Sequence, residues 1–400
     1  MEQVIGDQEA EQGIRNRIEA EYDVTVLQEE SLLMTKNLWH EAFPEISENF
    51  LDEYNRRKTD KNVVFTVMGD EIQAMLYLAP YSAALRGNFP RLQANRLPCM
   101  ADIVHVDADL ISMAFTREGH RNKGCMKRLL SGALEYQEQM SIPLCFVETD
   151  KEEFFRRFGF HYIYDRPQYE LNTALITEEM LAKAADGETV QLNLQGIILK
   201  TADSSRLLSL AHYVNANLCR HYGFFMIRSA SYYERFQKEL QSTGGNLFLI
   251  MENETIKGYF ACEKKGGNVI REAVFEEKTD RERYLLEIED KKPAVMARIV
   301  NLPEMLKHIS GNGKITIAIR LADPVISKNN GDFIWYIDEN GSHMERVAQT
   351  QNSSDASVRP EVTTSIGEFT AFIFEYIKLK QNAKFDNIYL AGPTWMNERY

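Results

Sequence analysis

The chain has 400 residues, a formal net charge of −13, 44% apolar content and 26% charged content, which fits a globular protein of about two to four domains. No stretch nears the roughly 20 apolar residues of a membrane span. The acidic start "MEQVIGDQEAEQGIRNR" is not a secretory signal, and the acidic balance argues against general nucleic-acid binding.

The five cysteines (Cys99, Cys125, Cys145, Cys219, Cys262) form no CxxC pair, and the eight histidines form no HExxH spacing. Reduced thiols in a cytoplasm are therefore expected, and a metal site is not. In chain order, 22–27 reads as a strand, and 29–43 and 46–57 as helices. Residues 63–81 read as two strands across a Gly-Asp turn. Residues 108–116 form another strand. A helix follows from Gly124, with Met126, Leu129, Leu130, Ala133, Leu134 and Met140 along one face. Residues 142–149 read as a strand, 151–158 as a short helix and 159–171 as a strand.

The order then repeats. Helices are expected over 205–222 and 229–240, a hairpin over 246–263 and a strand over 269–275. This is either a diverged internal repeat or the general likeness of strand–turn–strand units. The second copy continues "EEKTDRERYLLEI", with no glycine and many acids. From about 291 the pattern changes. Residues 294–309 read as a helix with Asn301 as cap, and 314–323, 331–338 and 342–349 as strands. Residues 351–357 read as a solvated loop. A helix over 365–379 opens with Ser365 and Glu368 at capping-box spacing. Its stripe of Ile366, Phe369, Phe372, Ile373 and Ile377 reads as core, with lipid contact the lesser reading.

The stretch "REGHRNKGCMKRLL" (117–130) departs from the acidic average. It holds Arg117, Arg121, Lys123, Lys127 and Arg128 against Glu118 alone. Cations at a helix start oppose the macrodipole, so an anion is their natural complement. Free amides of the first turn and basic side chains would hold it together. Gly124 would let the backbone come close. A strand before and an amphipathic helix after suggest a pyrophosphate with a long tail. The alternative is a solvated helix start, since Arg-x-x-Gly alone is a weak signal.

This region resembles the GNAT family of acetyl-CoA-dependent N-acetyltransferases. The family's strand, Arg-x-x-Gly-x-Gly/Ala loop, helix and later fYxxxGF are matched by "ISMAFT", "RNKGCM" and "FFRRFGF". The whole layout is similar to the Eis (enhanced intracellular survival) branch, and "ARIVNLPEML" resembles the start of that branch's third domain. The resemblance implies an α/β (α+β) chain of tandem GNAT-type mixed-sheet domains and a sterol-carrier-protein-like α/β domain. Residues 1–168 would carry the acetyl-CoA site, 169–290 a degenerate second GNAT domain, and 291–400 the sterol-carrier-like domain. The implied reaction moves an acetyl group from acetyl-CoA to an unidentified small-molecule or peptide amine by direct attack, without a metal. Oligomerisation is left open.

The resemblance also implies roles. On the strand Ala114–Phe115–Thr116, the backbones of Ala114 and Thr116 would pair with the pantetheine arm. Amides of Asn122, Lys123, Gly124, Cys125, Met126 and Lys127 would hold the pyrophosphate, with Arg121 shaping the loop and Cys125 structural. Asp150 and Lys151 would lie near the thioester, and the terminal carboxylate of Tyr400, with Glu398 nearby, would be the general base. A tail packed only for structure is the alternative. Met126 stands where Gly or Ala is usual. Phe155 stands where the family places the tyrosine that protonates the leaving thiolate. Tyr162, Tyr164 or water would then serve, unless the two tyrosines are ordinary strand packing. Otherwise the chain is a non-catalytic CoA- or apolar-ligand-binding protein.

Overall fold

A computed structural model describes residues 2–27, 34–42, 44, 62–86, 99–192, 196–347, 359–379 and 382–397. The expected helix over 46–57, the start of the one over 29–43, the loop over 351–357, Glu398 and Tyr400 lie outside them. The first part runs α1 (Glu2–Tyr22), β1 (Thr25–Leu27), α2 (Lys36–Ala42), β2 (Val63–Met68), β3 (Ile72–Arg86) and β4 (Ile103–Thr116). It continues with α3 (Cys125–Gln139), β5 (Leu144–Glu148), α4 (Glu152–Arg156) and β6 (His161–Leu171). The middle part holds α5 (Glu178–Ala185), β7 (Val190–Gln191), β8 (Ile197–Thr201), α6 (Leu207–His221), β9 (Phe224–Met226) and α7 (Ala230–Ser242). It ends with β10 (Asn246–Glu252), β11 (Thr255–Lys264), β12 (Asn268–Phe275), α8 (Lys278–Tyr284) and β13 (Leu285–Ile299).

The first sheet has the order β1-β2-β3-β4-β5-β13-β6, with β9 added beside β3. Strand β13 lies between β5 and β6, so the segment from 172 to 284 is inserted between two neighbours in one sheet. The boundary expected near residue 290 falls inside β13. The helix expected over 294–309 is also corrected. Residues 294–299 are strand, and only α9 (Leu302–Leu306) is helical, capped by the Asn301 side chain as anticipated. The reason is burial on both faces. Val295, Ala297 and Ile299 enter one core and Met296 the other, so the run shows no alternation. The middle part forms its own sheet, β12-β11-β10-β8-β7, in which β10, β11 and β12 meander as β2, β3 and β4 do.

The last part contributes β14 (Ser310–Gly311), β15 (Ile315–Ala322), β16 (Gly331–Asp338), β17 (Gly341–Arg346), β18 (Val362–Ser365), α10 (Ile366–Ile373), β19 (Ile388–Tyr389) and β20 (Thr394–Trp395). A sheet β17-β16-β15-β18 is covered by α10, whose Phe369 meets Trp335 edge-on at 5.4 Å. The capping box forms: Glu368 N donates to Ser365 Oγ at 3.2 Å, and Ser365 N donates back to the Glu368 carboxylate at 3.0 Å. Helix α10 stops at Ile373, short of the expected 379. Its Gly367 allows close approach to the turn after α4, where a Cβ would stand 3.0 Å from Gly159 O. Arg298 on β13 and Asp323 form a wholly buried ion pair at 2.6 Å that joins this part to the first sheet. Strand β20 pairs with β9, bringing the chain's last described residues back to the first two parts.

Candidate active site

Strands β4 and β5 are parallel neighbours over three rungs only, ending at Leu110↔Phe146. Beyond that rung they part. A cleft of about 950 Å³ lies between them, with Ile111 to Ala114 on one wall and Val147 to Lys151 on the other. A bulge shapes the first wall: Tyr77 faces Ser112 and Met75 faces Phe115, so Met113 and Ala114 together oppose Leu76. Met113 takes φ +49° there. Bulges of this kind re-aim a strand next to a site. Arg117 N donates to Gln73 O on β3 at 3.0 Å. Because an antiparallel strand alternates its bonds, Phe115 also faces β3, while Thr116 points its N–H and C=O away from β3. The Phe115 side chain packs with the core around Trp39 and Tyr77.

The basic loop lies at the end of β4. No hydrogen bond from the amides of Asn122 through Lys127 is found among the described residues, and the first bond closing the helix is Arg128 N to Gly124 O at 3.1 Å. Two residues in the loop have left-handed backbone, Asn122 (φ +61°) and Gly124 (φ +84°). Six successive free amides, three of them in the first turn of α3, are an arrangement that can take an anion. The charge around it is smaller than the sequence suggests. Arg117 pairs with Glu41 at 3.3 Å and with Glu71, and Arg128 pairs with Asp23. Arg121 Nε donates to Thr116 O at 3.2 Å, tying the loop to the strand end. Lys123 and Lys127 have no acidic partner among the described residues. Cys125 is buried and Met126 packs partly against the core beneath α3.

Asp150 and Lys151 sit on the cleft rim as an exposed ion pair at 2.8 Å, which lowers the Asp150 carboxyl below its ordinary value. Phe155 lines the cleft but is 6% exposed, with its ring against Phe154 and Phe160 at 5.2 and 5.5 Å. Neither Tyr162 nor Tyr164 lines the cleft. Tyr164 is buried in the main core, which holds its hydroxyl well above the ordinary tyrosine value.

Several residues of the cleft escaped the sequence reading. Arg166 grips Glu148 through both nitrogens at 2.5 and 3.0 Å, and both line the cleft. Arg166 Nε also donates to Asn397 Oδ1 at 2.9 Å. Asn397 in turn donates to Arg271 O at 2.7 Å and is 8% exposed. Asn268, Val269 and Ile270 of β12 close the far side. A charge ending the apolar run of β5 was the one signal for Glu148. Arg166 and Asn397 gave none.

In the middle part, β12 is followed by Glu276 and Glu277 and then by α8, which carries Asp280 in its first turn. No glycine stands between β12 and α8, so the close-approach position of the first loop has no counterpart there.

The chain matches no protein-family model. It also matches no curated protein sequence. Solved structures are similar over nearly its whole length. A GCN5-related N-acetyltransferase from Anabaena variabilis gives a TM-score of 0.67 at 13% identity, covering 94% of this chain and 99% of its own. A probable N-acyltransferase from Enterococcus faecalis V583 gives 0.66 at 15%, covering 90% and 94%. Eis1 from Mycobacterium abscessus gives 0.60 at 9%, covering 94% and 100%. The chain shares their fold.

Proposed function

We propose that the chain is an N-acetyltransferase that moves an acetyl group from acetyl-CoA to a small-molecule or peptide amine in the cleft between β4 and β5. The observation that carries this is the run of unpartnered amides from Asn122 to Lys127 at the start of α3, beside the open edge of β4. The amides suit a pyrophosphate, and the N–H and C=O of Thr116, turned away from β3, suit an amide-bearing arm laid along the strand. When bound, acetyl-CoA supplies an activated acyl group and a thiolate leaving group. Arg121 holds the loop's shape, Cys125 is structural, and Asp150 and Lys151 flank the reacting end. No metal is required.

The acceptor amine must lose a proton as it attacks. We assign that proton to the carboxylate of Tyr400, as the resemblance to Eis implies. The placing of Asn397 against Arg166, which lines the cleft, supports this reading. In this reading the catalytic GNAT domain is the first part of the chain completed by β13, the inserted segment from 172 to 284 is a second GNAT domain without a cofactor, and the part after β13 is a sterol-carrier-like domain. No helix of the described residues is long and apolar enough to cross a membrane. The five cysteines are free, in keeping with a cytoplasmic setting.

One observation favours a second reading, a protein that binds CoA without turnover: Phe155 fills the place of the usual proton donor and is packed among phenylalanines. Calorimetry with CoA and acetyl-CoA turnover against a panel of amines separate the two. The enzyme gives one CoA site per chain and amine-dependent thiol release. One site with no release from any amine supports the binder, and no CoA binding overturns both.

A further inference from the structure

Ser112 stands two residues beyond the last paired rung of β4, and Glu148 stands two beyond it on β5. The two therefore share one level on opposite walls of the cleft, on the same face of the sheet. Ser112 lines the cleft. It is 3% exposed, and its hydroxyl has no hydrogen-bond partner among the described residues. A covered hydroxyl without a partner is costly, and buried polar groups are rarely left so. The cleft's other two hydroxyls each accept a bond, Thr149 Oγ1 from Lys151 N at 2.9 Å and Tyr169 from Arg281 at 3.3 Å, so Ser112 is the one cleft hydroxyl without a partner among the described residues. Phe155 offers no hydrogen, and Tyr162 and Tyr164 lie off the cleft.

We propose that Ser112 Oγ–H is the donor that receives the leaving sulfur during acyl transfer, filling the role left open by Phe155. The inference rests on the acetyltransferase reading. The balance is simple. The bond from nitrogen to the acyl carbon forms as the carbon–sulfur bond breaks. The amine's proton goes to the general base. The sulfur leaves as a thiolate held by the Ser112 hydroxyl, and it takes a proton from solvent on release. Ser112 keeps its own proton throughout, since an alkoxide is a far stronger base than a thiolate. Position at the bulge suits the role: the kink at Met113 sets Ser112 at the point where the two strands open.

The test compares the full-length protein with Ser112→Ala. Because the replaced hydroxyl has no partner, the variant should melt at the same temperature or higher, whereas a structural role predicts a drop. The decisive readout needs no amine. CoA is bound to each protein and its thiol is titrated by the ultraviolet absorbance of the thiolate. Glu148, Asp150, Lys151, Arg166, Glu170 and Lys292 also line the cleft, and their fields are common to both proteins. A hydrogen bond to a charged acceptor, worth about tenfold or more, should make the bound thiol at least about one pH unit more acidic in the wild type. Turnover of acetyl-CoA by Ser112→Ala should fall by a similar factor, with partial recovery in Ser112→Thr. It should fall less with an acetyl thioester of an acidic aryl thiol, whose leaving group needs no donor. Equal thiol acidities in the two proteins overturn the assignment while leaving the acetyltransferase reading intact. Failure of both proteins to bind CoA overturns the two together.

Discussion

Gly124 offers the sharpest test of the proposed anion cradle. It precedes α3 with φ +84° and ψ 2°, and a Cβ built there would meet nothing within 4 Å. Crowding within the protein is therefore not what a side chain would cause. The cost is torsional, about 1–2 kcal/mol for an ordinary L-residue in the left-handed region and more for a β-branched one. If Gly124→Val keeps the loop shape only at that expense, CoA binding weakens by about 5- to 30-fold, since each 1.4 kcal/mol is tenfold. Gly124→Asn separates conformation from room. Asparagine accepts this backbone, as Asn122 does two residues earlier at φ +61°. Calorimetric titration with CoA should rank the wild type first, Asn close behind and Val well below. If Asn and Val are equally poor, the glycine serves to let the ligand approach. Wild-type affinity in Gly124→Val would refute the placing of the pyrophosphate in this loop.

Two further outcomes are expected. Asp109 on β4 is 8% exposed and accepts from Gln137 Nε2 at 3.0 Å, and burial pushes its carboxyl up to about 6. A raised carboxyl stabilises the fold fully below the unfolded value and loses that contribution as pH rises through the folded one. Asp109→Asn should therefore stabilise the protein at pH 8 by up to about 3 kcal/mol, fading to nothing below about pH 4; denaturant unfolding at both pH values checks it, and a gain independent of pH would exclude ionisation as the cause. Appending two glycines after Tyr400 should leave CoA affinity and melting temperature nearly unchanged and cut turnover about tenfold or more, because misplacement by about 1 Å is already costly; Glu398→Gln, assayed beside it, should be near normal, and the reverse pattern would move the base to that side chain.

Local signals explain what the sequence made legible. The hairpins of the first two sheets announced themselves through apolar runs broken by Gly69-Asp70 and Asn253, and Ser365 with Glu368 marked a helix start that is present. Helix α1 passed unread because its large apolar residues, Val4, Ile5, Ile14, Ile18 and Tyr22, are few and make no continuous stripe along its 21 residues. Its anchor is tertiary: Ile18 is wholly buried, and a Cβ on Gly132 of α3 would stand 3.3 Å from it. Strand β13 was misread because a central strand covered on both faces carries no period to read. The loop's apparent excess of charge depended on Glu41, Glu71 and Asp23, which come from elsewhere in the chain to neutralise Arg117 and Arg128.

The same contrast divides the candidate site in two. Its proposed anion half is one contiguous run, from Ala114 to Lys127, in which strand edge, turn and helix start follow in order, so a local motif and the resemblance it carries can point to it. The rest of the cleft is assembled from distant pieces: Glu148 ends β5, Arg166 comes from β6, Asn268 to Ile270 come from β12, and Asn397 arrives with the tail. A salt bridge and two hydrogen bonds join Glu148, Arg166, Asn397 and Arg271 across three parts of the chain. In the proposed transferase, convergent polar groups of this kind would set the choice of amine, and their convergence exists only once β13 has closed the first sheet around the inserted middle part. The inserted part therefore has a physical role in the site even without a phosphate loop of its own. Its β12 is a wall of the cleft, and its Arg271 carbonyl accepts from Asn397 of the tail.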